Sequence, residues 1–166
     1  MTTTTKTKAK AAPPFEVRRS AIHGNGCFAT RALAAGDKLG EYKGERIDWP
    51  EALRRTEESD GPANHTFLFS LEDGNVIDGG CKGSDARWIN HACDPNCEAQ
   101  EEKGRVFIYA LRDIARGEEL NYDYALVYED RHTKALKELF ACRCGSPLCR
   151  GTMLAPKKRK SAKKKA

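Results

Sequence analysis

Three cysteines within eight residues, Cys142-x-Cys144-x4-Cys149, restrict this chain more than any other feature. They lie in a loop that contains Gly145, Pro147 and Gly151 and has too little apolar content to fold alone, so it needs a staple. Tetrahedral Zn2+ takes four ligands, and thiolates commonly supply them in structural sites. The fourth must come from elsewhere in the chain, with Cys93 or Cys97 as the natural donor. Free or redox-active thiols are the competing reading. Seven cysteines is an odd number, and no apolar signal-like segment opens the chain. Both points favour thiol or metal chemistry over a disulfide framework.

The stretch holding those donors is Arg87-Trp88-Ile89-Asn90-His91-Ala92-Cys93-Asp94-Pro95-Asn96-Cys97. Trp88 and Ile89 form an apolar anchor that delivers two polar side chains, Asn90 and His91, to one place. Asp94-Pro95-Asn96 then turns the chain. A second polar cluster is Glu118-Glu119-Leu120-Asn121-Tyr122-Asp123-Tyr124, in which strand alternation puts Tyr122 and Tyr124 on one side. Two such hydroxyls can line an aromatic slot and orient an amine. The residues alone fit two half-buried tyrosines with satisfied hydroxyls at least as well. Gly24 and Gly26 bracket Asn25 in a turn where backbone could approach a ligand, although the residues alone favour a plain hairpin.

Charge separates the ends from the middle. The overall +5 belongs to the tails, because residues 15–155 carry 19 basic side chains against 24 acidic ones, a net of −5. A nucleic-acid-binding fold wears its basic charge on the folded surface, whereas an acidic body suits a basic substrate. No run of 18 apolar residues exists, so neither membrane insertion nor Sec-type export is expected.

Along the chain, short strands dominate. Phe15 to Val17, the segment through Ala29, Lys38 to Tyr42, Glu45 to Ile47, Thr66 to Leu71, Asn75 to Asp78 and Val106 to Leu111 all read as strands. Asp73-Gly74 marks a hairpin. Asp48 caps a short helix over Trp49 to Arg55 with Pro50 in its first turn, closed by Ser59-Asp60-Gly61-Pro62, and Arg131 to Phe140 has helical spacing. Leu33-Ala34-Ala35-Gly36-Asp37 and Ile114-Ala115-Arg116-Gly117-Glu118 look like one turn device used twice.

These segments, with Ile22-His23-Gly24-Asn25-Gly26 and Gly40-Glu41-Tyr42-Lys43-Gly44-Glu45, stand in the order seen in SET-domain protein-lysine methyltransferases with a post-SET zinc loop. The chain resembles that family over residues 15–152. The resemblance implies a mainly β chain with few short helices: a SET (β-clip) fold with a pseudoknot plus a zinc-stapled post-SET loop. Its divisions would be a disordered basic arm at 1–14, the SET domain at 15–127, a helix and zinc loop at 128–152, and a disordered basic tail at 153–166. The threaded pseudoknot would bring Asn90 beside Tyr124, against the usual avoidance of threaded connections. By the same resemblance S-adenosylmethionine lies against His23, Gly24, Asn25, Gly26, Phe67, Asn90 and His91. Tyr124 is the expected catalytic tyrosine, with Tyr122 and Tyr42 lining a lysine channel. Cys93, Cys142, Cys144 and Cys149 would bind Zn2+, leaving Cys97 as a nearby free thiol. A tyrosine at the Tyr122 position implies mono- or dimethylation.

Three positions depart from the common pattern. Phe67 stands where relatives often have a tyrosine, which puts rate or product degree in question; Ala92 replaces a common serine and His23 a common lysine. The implied substrate is a basic protein, a histone or histone-like chromatin protein, and the enzyme is expected to act as a monomer. The run from Lys157 to Lys165 would bind nucleic acid non-specifically by counterion release, or act as a nuclear-import signal. Location would be nuclear or chromatin-bound for a eukaryotic or host-targeted chain and cytoplasmic or nucleoid-associated for a bacterial one. The rival reading is a catalytically weak SET-fold module tethered to DNA by its tail.

Overall fold

The computed structural model describes residues 12–61 and 66–157. The basic arm expected at 1–14 and the basic run beyond Lys157 lie almost entirely outside the described residues, as does Pro62. In chain order the strands are β1 (Phe15–Arg19), β2 (Asn25–Ala29), β3 (Lys38–Tyr42), β4 (Glu45–Ile47), β5 (Leu68–Ser70), β6 (Val76–Asp78), β7 (Asn90–His91), β8 (Cys97–Glu102), β9 (Arg105–Ala110) and β10 (Glu119–Tyr122). Helices α1 (Trp49–Glu58) and α2 (Lys134–Leu139) and a 3-10 turn at Asp85–Trp88 complete the set. The strands form three small sheets, ordered β1-β2-β10-β7, β3-β9-β8 and β4-β6-β5. The mainly β architecture is the expected one.

Strand β8 has no counterpart in the sequence pattern. Cys-Glu-Ala-Gln-Glu-Glu has weak strand propensity, yet it pairs with β9 from Cys97 opposite Ala110 to Glu102 opposite Arg105. The turn supplies the reason: Lys103 and Gly104 both take positive φ, 52° and 75°, the geometry that matches the twist of a two-residue hairpin. Across β9, Val106, Ile108 and Ala110 are buried while their neighbours are not, so the apolar strand carries its polar partner into the sheet. Cys97 is thereby fully buried in the core, and burial pushes its thiol up to about 12. It is a free thiol packed in the core.

Other boundaries shift for local reasons. Helix α1 runs to Glu58, three residues beyond the expected end. The Asp48 carboxylate accepts the Glu51 N–H at 3.0 Å, and Arg55 ties the helix to the β4-β6 sheet through Glu45 at 2.9 Å and Asp78 at 2.8 Å. The strand expected from Thr66 shortens to Leu68–Ser70, and the second helix begins only at Lys134, where the Thr133 side chain caps it. The expected tail start is ordered: Leu154 is buried and bridges Leu126, which draws Met153 to Lys157 onto the body.

The repeated turn has a structural meaning. Leu33 and Ile114 exchange both backbone hydrogen bonds at 2.9 Å, so the two copies face each other. Gly36 and Gly117 take φ of 86° and 83°, and Asp37 and Glu118 accept the Ala34 and Ala115 N–H groups at 3.0 Å. The device closes two strand ends against one another.

Where the sheets meet, Asn96 is buried and reciprocally bonded to Asn121. The Asn96 N–H donates to Asn121 Oδ1 at 3.0 Å, and the Asn121 N–H donates to Asn96 Oδ1 at 2.9 Å. Asn96 Nδ2 also donates to the Glu119 carbonyl at 2.8 Å. Asn96→Ala leaves buried backbone groups unpaired, so the expected loss is about 3 kcal/mol, visible as a Tm drop of roughly 6–12 °C. An unchanged Tm would show that this side chain does not lock β10 in place.

Candidate functional site

Strand β10 pairs antiparallel with β2 on one side and parallel with β7 on the other, aligning Asn121 with Asn90 and Tyr122 with His91. That parallel pairing joins two segments about thirty residues apart in sequence. It forms two adjoining clusters.

In the first, Asn90 Nδ2 donates to the carbonyls of Asn25 at 2.9 Å and His23 at 3.4 Å and to Glu119 Oε1 at 2.9 Å. Glu119 Oε1 also accepts the Ser20 hydroxyl at 2.7 Å. The side chain of Asn90 thus pins the Gly-x-Gly turn. The two glycines have different reasons: Gly24 takes φ +49°, whereas a Cβ on Gly26 would stand 2.3 Å from Glu119 Oε1. The space beside Gly26 is filled by the protein's own carboxylate. The His23 side chain is exposed on this turn.

In the second cluster, the Tyr122 and Tyr124 rings lie 4.9 Å apart, and Tyr42 and Tyr122 both lie against Phe69, at 5.5 and 6.5 Å. The Tyr124 hydroxyl donates to the Ile89 carbonyl at 2.7 Å, and that of Tyr42 to the Phe67 carbonyl at 2.7 Å. Phe67 packs edge-on against Trp88, ring centroids 5.0 Å apart, two residues before Asn90. Burial first, and neighbouring acidic or phenolic groups second, raise all three tyrosines well above the ordinary phenol range. They are neutral hydroxyls at any ordinary pH. A groove bordered by Phe69, Pro95, Glu98, Tyr122, Tyr124 and Ala125 opens beside them.

His91 connects this cluster to the cysteines. Its ring is buried, and burial chiefly lowers it to about 4, so the imidazole is neutral. Nδ1 accepts the Tyr124 N–H at 3.1 Å, which assigns the proton to Nε2, 3.4 Å from Cys93 Sγ. Both ring nitrogens face protein, so any cofactor contact from His91 comes from its backbone. A second link was invisible in the sequence: Asp123, between the two tyrosines, accepts hydrogen bonds from the two terminal guanidinium nitrogens of Arg150 at 2.8 and 2.9 Å. Nothing in the local pattern marks Arg150, because the pairing spans 27 residues; only its place beside Cys149 hints at it.

The sulfurs of Cys93, Cys142, Cys144 and Cys149 all lie within 4.8 Å of one another. Cys93 is 3.7 Å from Cys142 and 4.0 Å from Cys149, close to the ~3.8 Å edge of a tetrahedron with ~2.3 Å Zn–S bonds. Backbone N–H groups of Cys144, Arg150 and Gly151 point at Cys142, Cys93 and Cys149 sulfurs at 3.3–3.4 Å, as thiolates require. Burial raises Cys142 and Cys93, while Cys144, although also opposed by burial, falls to about 7 through N–H groups of Cys93 and Ser146. Sulfurs crowded in this way favour a cation. Cys97, the alternative donor, stays in the core.

A model of the SET domain matches residues 24–125, and the chain belongs to the SET-domain family. It is 43% identical over 147 residues to the "Histone-lysine N-methyltransferase, H3 lysine-4 specific" of Saccharomyces cerevisiae, covering 86% of this chain and 13% of that protein. The same named protein of Eremothecium gossypii is 42% identical over 147 residues, covering 86% of this chain and 15% of it. "Histone-lysine N-methyltransferase 2B" of Homo sapiens is 40% identical over 138 residues, covering 81% of this chain and 5% of it. The chain thus spans a small part of these relatives' length. No described helix is long and apolar enough to cross a membrane.

Cys93→Ser should lower bound zinc, measured by metal analysis, and release the 142–152 loop to protease; full zinc and unchanged protection would contradict the four-sulfur site. Tyr42, Tyr122 and Tyr124 hold their protons more tightly folded than unfolded, so their contribution is complete below about pH 10 and is lost as pH rises toward their folded values. Tm should fall above that pH, less steeply in Tyr122→Phe.

Proposed function

We propose that this chain transfers methyl groups from S-adenosylmethionine to a lysine side chain of a histone or histone-like basic protein. The observation that carries this reading is the β7-β10 pairing, which sets the Asn90-His91 segment against Tyr122-x-Tyr124. The acidic body suits such a substrate, and the names of the relatives agree with it. A location on chromatin follows from that substrate.

The cofactor would supply an electrophilic methyl on a sulfonium. The residues that would hold it are His23, Gly24, Asn25, Gly26 and Phe67 with Asn90 and the His91 backbone. Asn90 acts from behind, fixing the turn through two carbonyls. The lysine would enter the groove beside Tyr122 and Tyr124. Lysine's amine is ordinarily protonated near pH 7, with a reference value of about 10.4, and must be neutral to attack. The tyrosines cannot take that proton as phenolates, because burial keeps them neutral. Their part is to narrow and dry the channel, which favours the uncharged amine, and to align its lone pair; the proton leaves to solvent. Tyr124 is placed for this by three contacts: its hydroxyl on Ile89, its N–H on His91, and Asp123 on Arg150.

Zinc held by Cys93, Cys142, Cys144 and Cys149 would be structural, with no open ligand position and no part in bond making. It would anchor Arg150, and through Asp123 the tyrosine segment. Bulk and hydroxyl at Tyr122 leave little room for a methylated amine to turn, so mono- or dimethylation is the proposed product.

The test uses zinc-loaded protein, methyl-labelled S-adenosylmethionine and core histones, with mass-spectrometric mapping. Tyr124→Phe should reduce kcat about 100-fold or more while cofactor affinity changes little, since alignment acts in the transition state. Undiminished transfer by Tyr124→Phe would remove this tyrosine from the mechanism; failure of the wild-type chain to bind the cofactor or label any histone would overturn the reading.

A further inference from the structure

The chain carries its own candidate substrate, the lysine-rich run after Lys157. We propose that lysines within residues 158–166 are methylated in cis by the same site, an inference that rests on the lysine-methyltransferase reading above.

The chain returns to the tyrosine segment just before that run. Leu126, two residues past Tyr124, bridges Leu154 in parallel, donating its N–H to Met153 at 3.2 Å and accepting that of Ala155 at 2.8 Å. Leu154 is buried, so the return is anchored. Lys157 Nζ then donates to the carbonyls of Glu129 and Asp130, both at 2.7 Å. Beyond Lys157 the sequence is Lys158-Arg159-Lys160-Ser161-Ala162-Lys163-Lys164-Lys165-Ala166, which has five amines and no acid. The groove next to Tyr122 and Tyr124 carries Glu98 at its border, in a body of net −5.

The reach is sufficient. At ~3.8 Å per Cα step and about 5 Å across the bridge, Lys157 stands at most ~24 Å from Tyr124. Extended chain covers about 3.3–3.6 Å per residue, so Lys164 and Lys165 span that bound, and Lys160 and Lys163 serve at shorter separations. A tethered lysine meets the groove at a millimolar-scale effective concentration, which dilute external substrates do not match. In the step itself, a neutral tail amine, its proton already given to solvent, forms the N–CH3 bond. The S–CH3 bond of the sulfonium breaks and its electron pair stays on sulfur as the thioether.

The experiment incubates the full zinc-loaded chain with methyl-labelled S-adenosylmethionine, alone and with an N-terminal histone H3 peptide. Beside it runs a variant carrying Lys158→Arg, Lys160→Arg, Lys163→Arg, Lys164→Arg and Lys165→Arg, which keeps the charge. The expected result is label mapped within residues 158–166, at a fraction per minute unchanged by serial dilution. That label is lost in the variant, which still labels the peptide. Peptide label without tail label, or label elsewhere on the chain, overturns this inference and leaves the lysine-methyltransferase reading intact. A tail-labelling rate that falls on dilution assigns the step to a second copy and overturns the cis arrangement. Label on neither tail nor peptide, with none on core histones either, overturns the lysine-methyltransferase reading itself.

Discussion

Two residue pairs in parallel register, Asn121 with Asn90 and Tyr122 with His91, hold this structure's polar centre together. Strand β7 is only two residues long and cannot sustain a sheet by itself. It survives because its side chains work in both directions. Asn90 reaches back to the Gly-x-Gly turn and Glu119, while His91 reaches forward to the Tyr124 N–H and Cys93. The reciprocal Asn96–Asn121 bonds fix the register of the neighbouring strand from beneath. Removing any one of these loosens a position shared by both clusters.

The electrostatic arrangement is a consequence of burial. Three phenols, one imidazole and two core thiols, Cys27 and Cys97, are all held neutral, and the charged groups among them are paired: Asp123 with Arg150, and Glu119 within a ring of donors. A site of this kind has no strong base to offer. It is suited to a reaction in which the electrophile arrives activated and the protein's task is alignment and drying. The cysteine cluster enters that account through Arg150, whose N–H points at Cys93 and whose guanidinium holds Asp123.

Much of this was legible in the chain. The apolar alternation of Val106 to Ala110, the Asp48 cap and the cysteine spacing each carry a local signal, and order among the motifs supplied the family. The features that could not be read have a common physical origin. β8 is a polar segment made into a strand by its turn and its partner. The close approach of Glu119 to Gly26, 93 residues away in sequence, is another such contact. The Asp123–Arg150 pair and the internal orientation of the His91 ring likewise depend on contacts that no short window contains. Cys93 and Cys97 are open alternatives by spacing and are told apart in the sequence only by the family resemblance; in the structure the β8-β9 pairing draws Cys97 into the core and leaves Cys93 with the other three sulfurs.

The cysteine loop positions the proposed catalytic tyrosine through Arg150, whose N–H points at Cys93 and whose guanidinium holds Asp123. The measurement is a double-mutant cycle on kcat for methyl transfer to a lysine peptide, using Asp123→Ala, Arg150→Ala and the pair, with zinc content checked in each. Each single change should lower kcat by about tenfold at full zinc occupancy, and the pair should lower it no further. Independent, multiplying losses would mean that the two residues act separately, and no loss from either would contradict the claim.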